Sequence, residues 1–101
     1  MKVLISFILI LAFSMQAISA MDKNKMINRL GVQGGNIYFD YDGMSLTCKY
    51  GPIYFKSSTD FGRSAYSMLL AAKSSKSMVS RIDYTQDEES KMCTLTLVEL
   101  D

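Results

Sequence analysis

The amino-acid sequence predicts a small, mainly β domain of the α+β class, with five strands and one helix. Two observations carry this prediction. Short runs in which apolar and polar residues alternate are separated by turn residues such as Gly and Asp, which is typical of half-buried strands. One stretch, residues 61–73, repeats its apolar residues at helical spacing instead.

The N-terminus has the pattern of a cleavable signal peptide at residues 1–20. A cation is followed by an apolar run at residues 3–13 and then by small and polar residues up to a cleavage position after Ala20. The apolar run is shorter than the about 20 residues that span a bilayer, although a retained membrane anchor is the alternative. Cleavage leaves a single domain, residues 21–101, in the periplasm or secreted from the cell.

Three strands are predicted before the helix, after a loose terminus at residues 21–25. Residues 26–33 and 37–42 form a hairpin around a Gly-Gly-Asn turn. A third strand covers residues 44–50 and resumes as residues 53–56 after a Gly-Pro break. Its inward face consists of Leu46, Cys48 and Tyr50.

The helix follows N-cap residues at positions 57–60 and extends through residue 73. Its apolar stripe consists of Phe61, Ala65, Met68, Leu69 and Ala72. Two strands follow, residues 78–85 and 92–100, joined by a charged loop at residues 86–91. In the last strand, the inward face consists of Cys93, Leu95 and Leu97.

The predicted order of three strands, one helix and two strands (βββαββ) is that of the OB-fold, a partly open five-stranded Greek-key barrel. A two-layer α+β sandwich with the same order is the alternative, and periodicity alone does not separate the two. We expect a five-stranded OB-like barrel.

Cys48 and Cys93 are the two cysteines of the chain, and an exported protein meets an oxidising compartment that joins such a pair. We therefore predict a structural disulfide between the third and last strands. With roughly 45 residues in the closed loop, the chain-entropy estimate of its stabilisation is about 4 kcal/mol, which is large for a small domain. The alternative, a reactive or metal-binding pair, has no histidine partners.

Charge and composition exclude several classes of function. The chain has 11 Lys and Arg against 10 Asp and Glu, and loss of Lys2 with the signal peptide balances them, which argues against nucleic acid or an anionic membrane as a partner. There is no histidine and no G-x-S-x-G motif. Residues 40–43 do not match a calcium loop, and the carboxylates at residues 87–89 are expected on a solvated loop. We predict no catalytic residue, no cofactor and no metal site.

Residues 61–85 (FGRSAYSMLLAAKSSKSMVSRIDYT) form a helix rich in small and aliphatic residues that leads into a strand. This stretch is similar to the helix-and-strand core of the B subunits of bacterial toxins with pentameric binding components, the subtilase cytotoxin and pertussis-like group. The resemblance implies an OB-like fold, ring-shaped oligomers packed through the helix, and binding to a glycan or a partner protein. No glycan-contact residue of that group matches a position here, so the resemblance assigns no site residue.

One candidate ligand-binding surface lies on the predicted strands. Tyr38 and Tyr54 point away from the predicted core, and Asp40 and Lys56 lie beside them in the alternation. Exposed Tyr offers a ring face for sugar stacking or protein contact together with a hydroxyl donor. The alternative is that the helix or a neighbouring subunit buries this side of the sheet.

A candidate oligomer contact lies on the helix. Arg63, Tyr66 and Leu70 fall off the predicted core stripe, and Tyr66 and Leu70 are four residues apart on a common face. A second apolar strip on a short helix indicates either a subunit contact or a wide buried face.

We therefore expect a non-enzymatic exported binding module that recognises a glycan or protein partner as a ring-shaped homo-oligomer. The alternative is a periplasmic inhibitor or accessory protein that binds an enzyme by inserting residues 86–91 or 50–54. An enzyme is the third class, and no sequence feature supports it.

Overall fold

The structure is a computed structural model that describes residues 17–101. These residues form one helix and six strands: β1 (Ile18–Lys25), β2 (Arg29–Gln33), β3 (Asn36–Asp40), β4 (Ile53–Lys56), α1 (Asp60–Ser75), β5 (Val79–Gln86) and β6 (Cys93–Glu99). The α+β class with a single helix is confirmed for this part of the chain. Most of the predicted signal peptide lies outside the described residues.

The strands form one mixed sheet in the order β1-β5-β6-β4-β3-β2. Every neighbouring pair is antiparallel except β4 and β6, which run parallel. β1 and β2 lie at opposite edges, so the sheet does not close into a barrel. The predicted five-stranded OB-like barrel is therefore correct only in part, because the sheet has six strands and stays open.

Two differences in the strands explain this result. β1 covers residues 21–25, which are predicted to be a loose terminus, together with Ile18–Ala20 at the end of the predicted signal peptide, and it occupies the outer edge of β5. Residues 44–50, the predicted third strand, form no strand, so that the order is four strands, one helix and two strands. They belong instead to residues 41–52, hereafter the anchored loop, whose backbone and side chains bond to the sheet beneath them.

The helix α1 confirms the prediction for this segment. Thr59 is its N-cap, and its hydroxyl accepts a hydrogen bond of 2.8 Å from the Gly62 amide. At the other end Lys76 adopts a left-handed conformation, and its amide bonds to the free carbonyls of the last turn. The buried face of the helix consists of Gly62, Ala65, Leu69 and Ala72. The predicted core position of Phe61 is wrong, because this first-turn residue is 43% exposed.

A β-bulge changes which face of β6 is buried. Cys93 and Leu95 face the core as predicted, but the register between β5 and β6 shifts at Asp83 and Tyr84. Beyond this shift Val98 lies opposite the fully buried Ile82 and packs against the core. The predicted inward position of Leu97 is wrong, because the extra residue of a bulge moves the following side chains to the other face.

We predict that Gly62→Ala destabilises the fold. A Cβ atom at this position would lie 1.8 Å from the backbone oxygen of Lys56, where the strand β4 ends against the start of α1. We expect a loss of about 1–3 kcal/mol in the free energy of unfolding, measured by urea denaturation, because backbone must move to relieve the contact. Gly35→Ala is the matched control, since a Cβ there meets nothing within 4 Å. Equal stability of the two variants would contradict the prediction.

Candidate binding groove and the anchored loop

The sheet has one covered face and one open face. The core on the covered face lies under α1 and the anchored loop. On the open face a single row of cross-strand partners runs across all six strands, because paired residues point to the same side of a sheet. In sheet order from β2 to β1, this row consists of Gly31, Tyr38, Tyr54, Thr94, Thr85 and Ser19.

Tyr38 and Tyr54 lie on the open face, on the side that the alternation predicts. Their ring centroids are 5.9 Å apart, with an angle of 45° between the ring planes. A Cβ on Gly31 would lie 2.5 Å from the Tyr38 ring, so the ring lies directly over this glycine. Both tyrosines are half-buried as a result, and the Tyr38 ring fills the space that a side chain on β2 would otherwise take.

Asp40 does not offer a free acceptor to a ligand. Its carboxylate accepts hydrogen bonds from the side chain of Arg29 at 2.7 Å and from the Arg29 amide at 3.1 Å. The ion pair between the two residues is 2.6 Å long and leaves the Asp40 side chain 19% exposed. This predicted site residue therefore joins the edge strand β2 to β3.

A groove of about 420 Å³ lies where the open face meets the tip of the anchored loop. Its lining consists of Gln33, Asn36, Tyr50, Tyr54, Phe55, Lys56, Met92 and Thr94. Of the four residues predicted to form a ligand-binding surface, Tyr54 and Lys56 line the groove, whereas Tyr38 and Asp40 do not. A second cavity of about 310 Å³, near the C-terminal end of α1, has no aromatic residue in its lining.

Tyr50 is the groove residue that sequence reasoning misplaced. Alternation put it inward with Leu46 and Cys48, but its side chain is 74% exposed. Its backbone has a φ of 63°, in the left-handed region that residues other than Gly rarely adopt, and Gly51 follows with a φ of 101°. The Gly-Pro pair that follows Tyr50 is the sequence signal for this change of direction, because such pairs mark turns.

The groove has the chemistry of a recognition site. Tyr50 and Tyr54 supply ring faces and hydroxyl groups, and Gln33 and Asn36 supply side-chain amides. Lys56 is the single charged residue among the described lining residues. The lining therefore offers stacking surfaces and hydrogen-bonding groups.

The first half of the anchored loop is held by a buried carboxylate. Asp22 on β1 is 5% exposed and accepts hydrogen bonds from the hydroxyls of Tyr41 at 2.7 Å and Tyr84 at 3.1 Å. The amide of Ser45 donates to the same oxygen at 3.1 Å, and the Ser45 hydroxyl donates to the other. The Leu46 amide donates to the Tyr84 hydroxyl at 3.0 Å, so β1, β5 and the loop share one network.

The ionised form of Asp22 is the form that this network stabilises. Burial raises the pKa of the Asp22 carboxyl, but the hydrogen bonds from Ser45, Tyr41 and Tyr84 together outweigh burial and bring this pKa below its ordinary value. Burial, the largest cause, and the neighbouring carboxylate raise the pKa of both Tyr41 and Tyr84, so each hydroxyl keeps its proton and donates it.

The second half of the anchored loop is held by the predicted disulfide, which is confirmed. Cys48 and Cys93 are joined, and both are buried. Besides this bond, the side-chain amide of Gln86 donates to the Thr47 carbonyl at 2.6 Å, and the Lys49 amide donates to the Lys91 carbonyl at 2.8 Å. Two such bonds contribute about 0.5–1.5 kcal/mol each, whereas ordering costs about 1–2 kcal/mol for every residue. The disulfide therefore adds to these hydrogen bonds and to the burial of Cys48 and Pro52 in this half.

The three residues predicted as an oligomer contact have different surroundings. Arg63 is exposed, pairs with Asp60 and donates to the Ser58 carbonyl at 2.9 Å. Tyr66 is half-buried against the core. Leu70 is 44% exposed. The apolar surface that these residues share is therefore limited to Leu70 and the exposed part of Tyr66.

In the charged loop between β5 and β6, one carboxylate forms a hydrogen bond within the loop itself. Asp87 accepts a hydrogen bond of 2.8 Å from the Ser90 amide, and its backbone amide bonds to the Met92 carbonyl.

Within residues 17–101, no group of three Cys, Asp or Glu side chains is arranged to hold a metal ion. In the same range, no helix has both the length and the apolar character needed to cross a bilayer.

No protein-family model, curated protein or solved structure matches this chain.

We predict that acid destabilises the protein partly through Asp22. Its folded pKa is depressed, so its stabilisation is complete above the unfolded pKa of about 3.9 and is lost as the pH falls through this value towards the folded pKa. Asp22→Asn should lose about 2–3 kcal/mol at pH 7 and show a smaller further loss below about pH 4 in urea denaturation.

Asp87→Asn is the control for this measurement, because the pKa of Asp87 is also lowered, by its hydrogen bonds with Ser90 at an exposed turn. If the stability of Asp22→Asn falls with pH as steeply as that of the unmodified protein, the assignment of this acid dependence to Asp22 is wrong.

Proposed function

We propose that this protein is a non-enzymatic exported binding module that recognises a glycan or a protein partner in the groove between Tyr50 and Tyr54. The observation that carries the proposal is the position of Tyr50. An exposed aromatic side chain in a left-handed backbone conformation stands at the rim of the groove, at the tip of a loop bonded to the sheet at both ends. Strained residues persist where the surroundings fix them, and they cluster at binding sites.

The composition of the groove supports a sugar as the ligand. A sugar ring presents apolar C–H faces that stack on tyrosine, and hydroxyl groups that pair with amide and hydroxyl side chains. Tyr54 lies on the floor of the groove and is braced by Tyr38, so its ring is held in place before a ligand arrives. Preorganised aromatic groups bind at a lower entropic cost than mobile ones.

Export and assembly belong to the same proposal. A buried disulfide is typical of proteins that fold in an oxidising compartment, which supports the periplasm or the cell exterior. The proposal includes a ring-shaped homo-oligomer packed through α1, as the resemblance to toxin B subunits implies, with Leu70 and the exposed part of Tyr66 as the apolar part of that contact. The mass of the mature protein in solution tests this assembly, and a monomer at all concentrations would exclude the ring.

Binding to a glycan array tests the proposed ligand class. We expect the mature, disulfide-bonded protein to bind a subset of the array, and Tyr54→Ala and Lys56→Ala to weaken this binding by about tenfold or more, as central contacts of an interface do. Lys23→Ala is the matched control, since this exposed lysine of β1 lies outside the groove lining.

Two results would count against this prediction in different ways. An unmodified protein that binds nothing across the array would remove the glycan version and leave a protein partner. Equal affinities for Tyr54→Ala, Lys56→Ala and Lys23→Ala would show that the ligand binds elsewhere on the molecule.

The second candidate function is an inhibitor or accessory protein that binds an enzyme. The exposed tip of the anchored loop, with Tyr50 at its most accessible point, favours it, because inserted loops present such anchors. Capture from a periplasmic extract separates the two candidates. One dominant enzyme that is bound by the unmodified protein and lost with Tyr50→Ala supports the inhibitor, and no captured enzyme excludes it.

A further inference from the structure

The disulfide lies within the groove-forming part of the chain. Cys48 is two residues before Tyr50, and Cys93 stands between Met92 and Thr94. Three of the residues that line the groove are thus within two positions of a bonded cysteine. The bond joins the anchored loop to the start of β6, and both segments contribute residues to the groove lining.

The two halves of the anchored loop are held by independent contacts. Ser45 and Leu46 bond to Asp22 and Tyr84, and this network contains no atom of the disulfide. The half that carries Tyr50 has the disulfide, two hydrogen bonds to the sheet and the neighbouring loop, those of Thr47 and Lys49, and the buried Pro52. We therefore expect loss of the disulfide to act on the Tyr50 half and to leave the hydrogen bonds of the Asp22 network in place.

We propose that oxidation of Cys48 and Cys93 assembles the groove, so that the disulfide is a redox latch and only the oxidised protein binds its ligand. The ligand part of this statement rests on the proposed function. The structural part, release of the Tyr50 half on reduction, stands without a ligand.

The redox step is a thiol–disulfide exchange with a disulfide oxidant. The thiolate of one cysteine attacks a sulfur of the oxidant's disulfide and forms a mixed disulfide, and the other cysteine then displaces the oxidant's thiolate and closes the Cys48–Cys93 bond. Cys48 and Cys93 lose two electrons and two protons, and the oxidant's disulfide becomes a dithiol. A dithiol reductant such as dithiothreitol drives the same exchange in reverse. Cys93 is 0% exposed and Cys48 is 6% exposed, so this exchange requires opening of the loop.

The latch links ligand binding to the compartment. In a reducing cytosol the two cysteines stay as thiols, and the Tyr50 half of the loop is not fixed. Once an oxidising compartment joins them, Tyr50, Met92 and Thr94 are brought to their positions around the groove. The groove is thereby completed in the compartment in which we propose that the protein binds its ligand.

Hydrogen exchange followed by NMR tests the latch on the mature protein. We expect the amides of Lys49 and Gly51, which bond to the carbonyls of Lys91 and Cys48, to exchange at least about tenfold faster in the Cys48→Ser/Cys93→Ser variant than in the oxidised protein. The amides of Ser45 and Leu46, on the Asp22 network, should keep their exchange rates within about twofold. The unmodified protein reduced with dithiothreitol is the second sample and should behave as the variant does.

Two outcomes overturn the latch. Unchanged exchange at Lys49 and Gly51 would show that hydrogen bonds hold the loop without the disulfide. Loss of protection at Ser45, Leu46 and the amides between β1 and β5 as well, or failure of both samples to fold, would show that the disulfide holds the whole fold and not the groove.

The latch and the proposed function fail separately. Exchange rates report on the latch with no ligand present. On the glycan array, binding by the oxidised protein that persists in the serine variant overturns the latch alone, whereas an absence of binding by the oxidised protein counts against the glycan alone.

Discussion

The attachment of the anchored loop to the sheet is the constraint on which the rest of this structure depends. Residues 41–52 have no regular secondary structure, and irregular segments of this kind in a compact domain are uncommon unless they have a function. Their attachment is of two kinds, a buried carboxylate at Asp22 and a covalent bond at Cys48. Together these contacts make an irregular segment part of the core.

The anchored loop also divides the two faces of the sheet into different roles. On the covered face it completes the core beside α1, because Tyr41 and Cys48 of the loop are buried in the same hydrophobic cluster as Leu69 of the helix. At its tip the chain turns towards the open face through the left-handed residues Tyr50 and Gly51. A small domain with little core thus obtains both core packing and part of the groove lining from one segment.

The helix and the disulfide could be predicted from the sequence because both are determined by few residues. An N-cap at Thr59 and a stripe at helical spacing define α1, and two cysteines in a chain that is predicted to be exported define one pairing. The hairpin of β2 and β3 was likewise predicted, since Gly34 and Gly35 form its two-residue turn. The signals for the helix and the hairpin are local in sequence, and the two cysteines have one possible pairing.

The errors arise where distant contacts override local pattern. Residues 44–50 alternate like a strand, but their amides bond to Asp22 and Tyr84, which are far from them in sequence. β1 has no alternation of its own, because one of its buried residues is the polar Asp22. Tyr50 was placed inward for the same reason, since a pattern with a period of two assumes a strand that the disulfide and the turn prevent.

Taken together, the contacts hold the loop that carries Tyr50 beside the sheet, and Tyr50 and Tyr54 are the aromatic groove residues that we propose for ligand binding. The most direct test is NMR chemical-shift mapping of the mature, oxidised protein during titration with a panel of free oligosaccharides. The account predicts concentration-dependent shifts at the amides of Tyr50, Tyr54 and Thr94, with the amides of α1 unchanged. Shifts confined to α1 around Tyr66 and Leu70, with none at the groove, would contradict it.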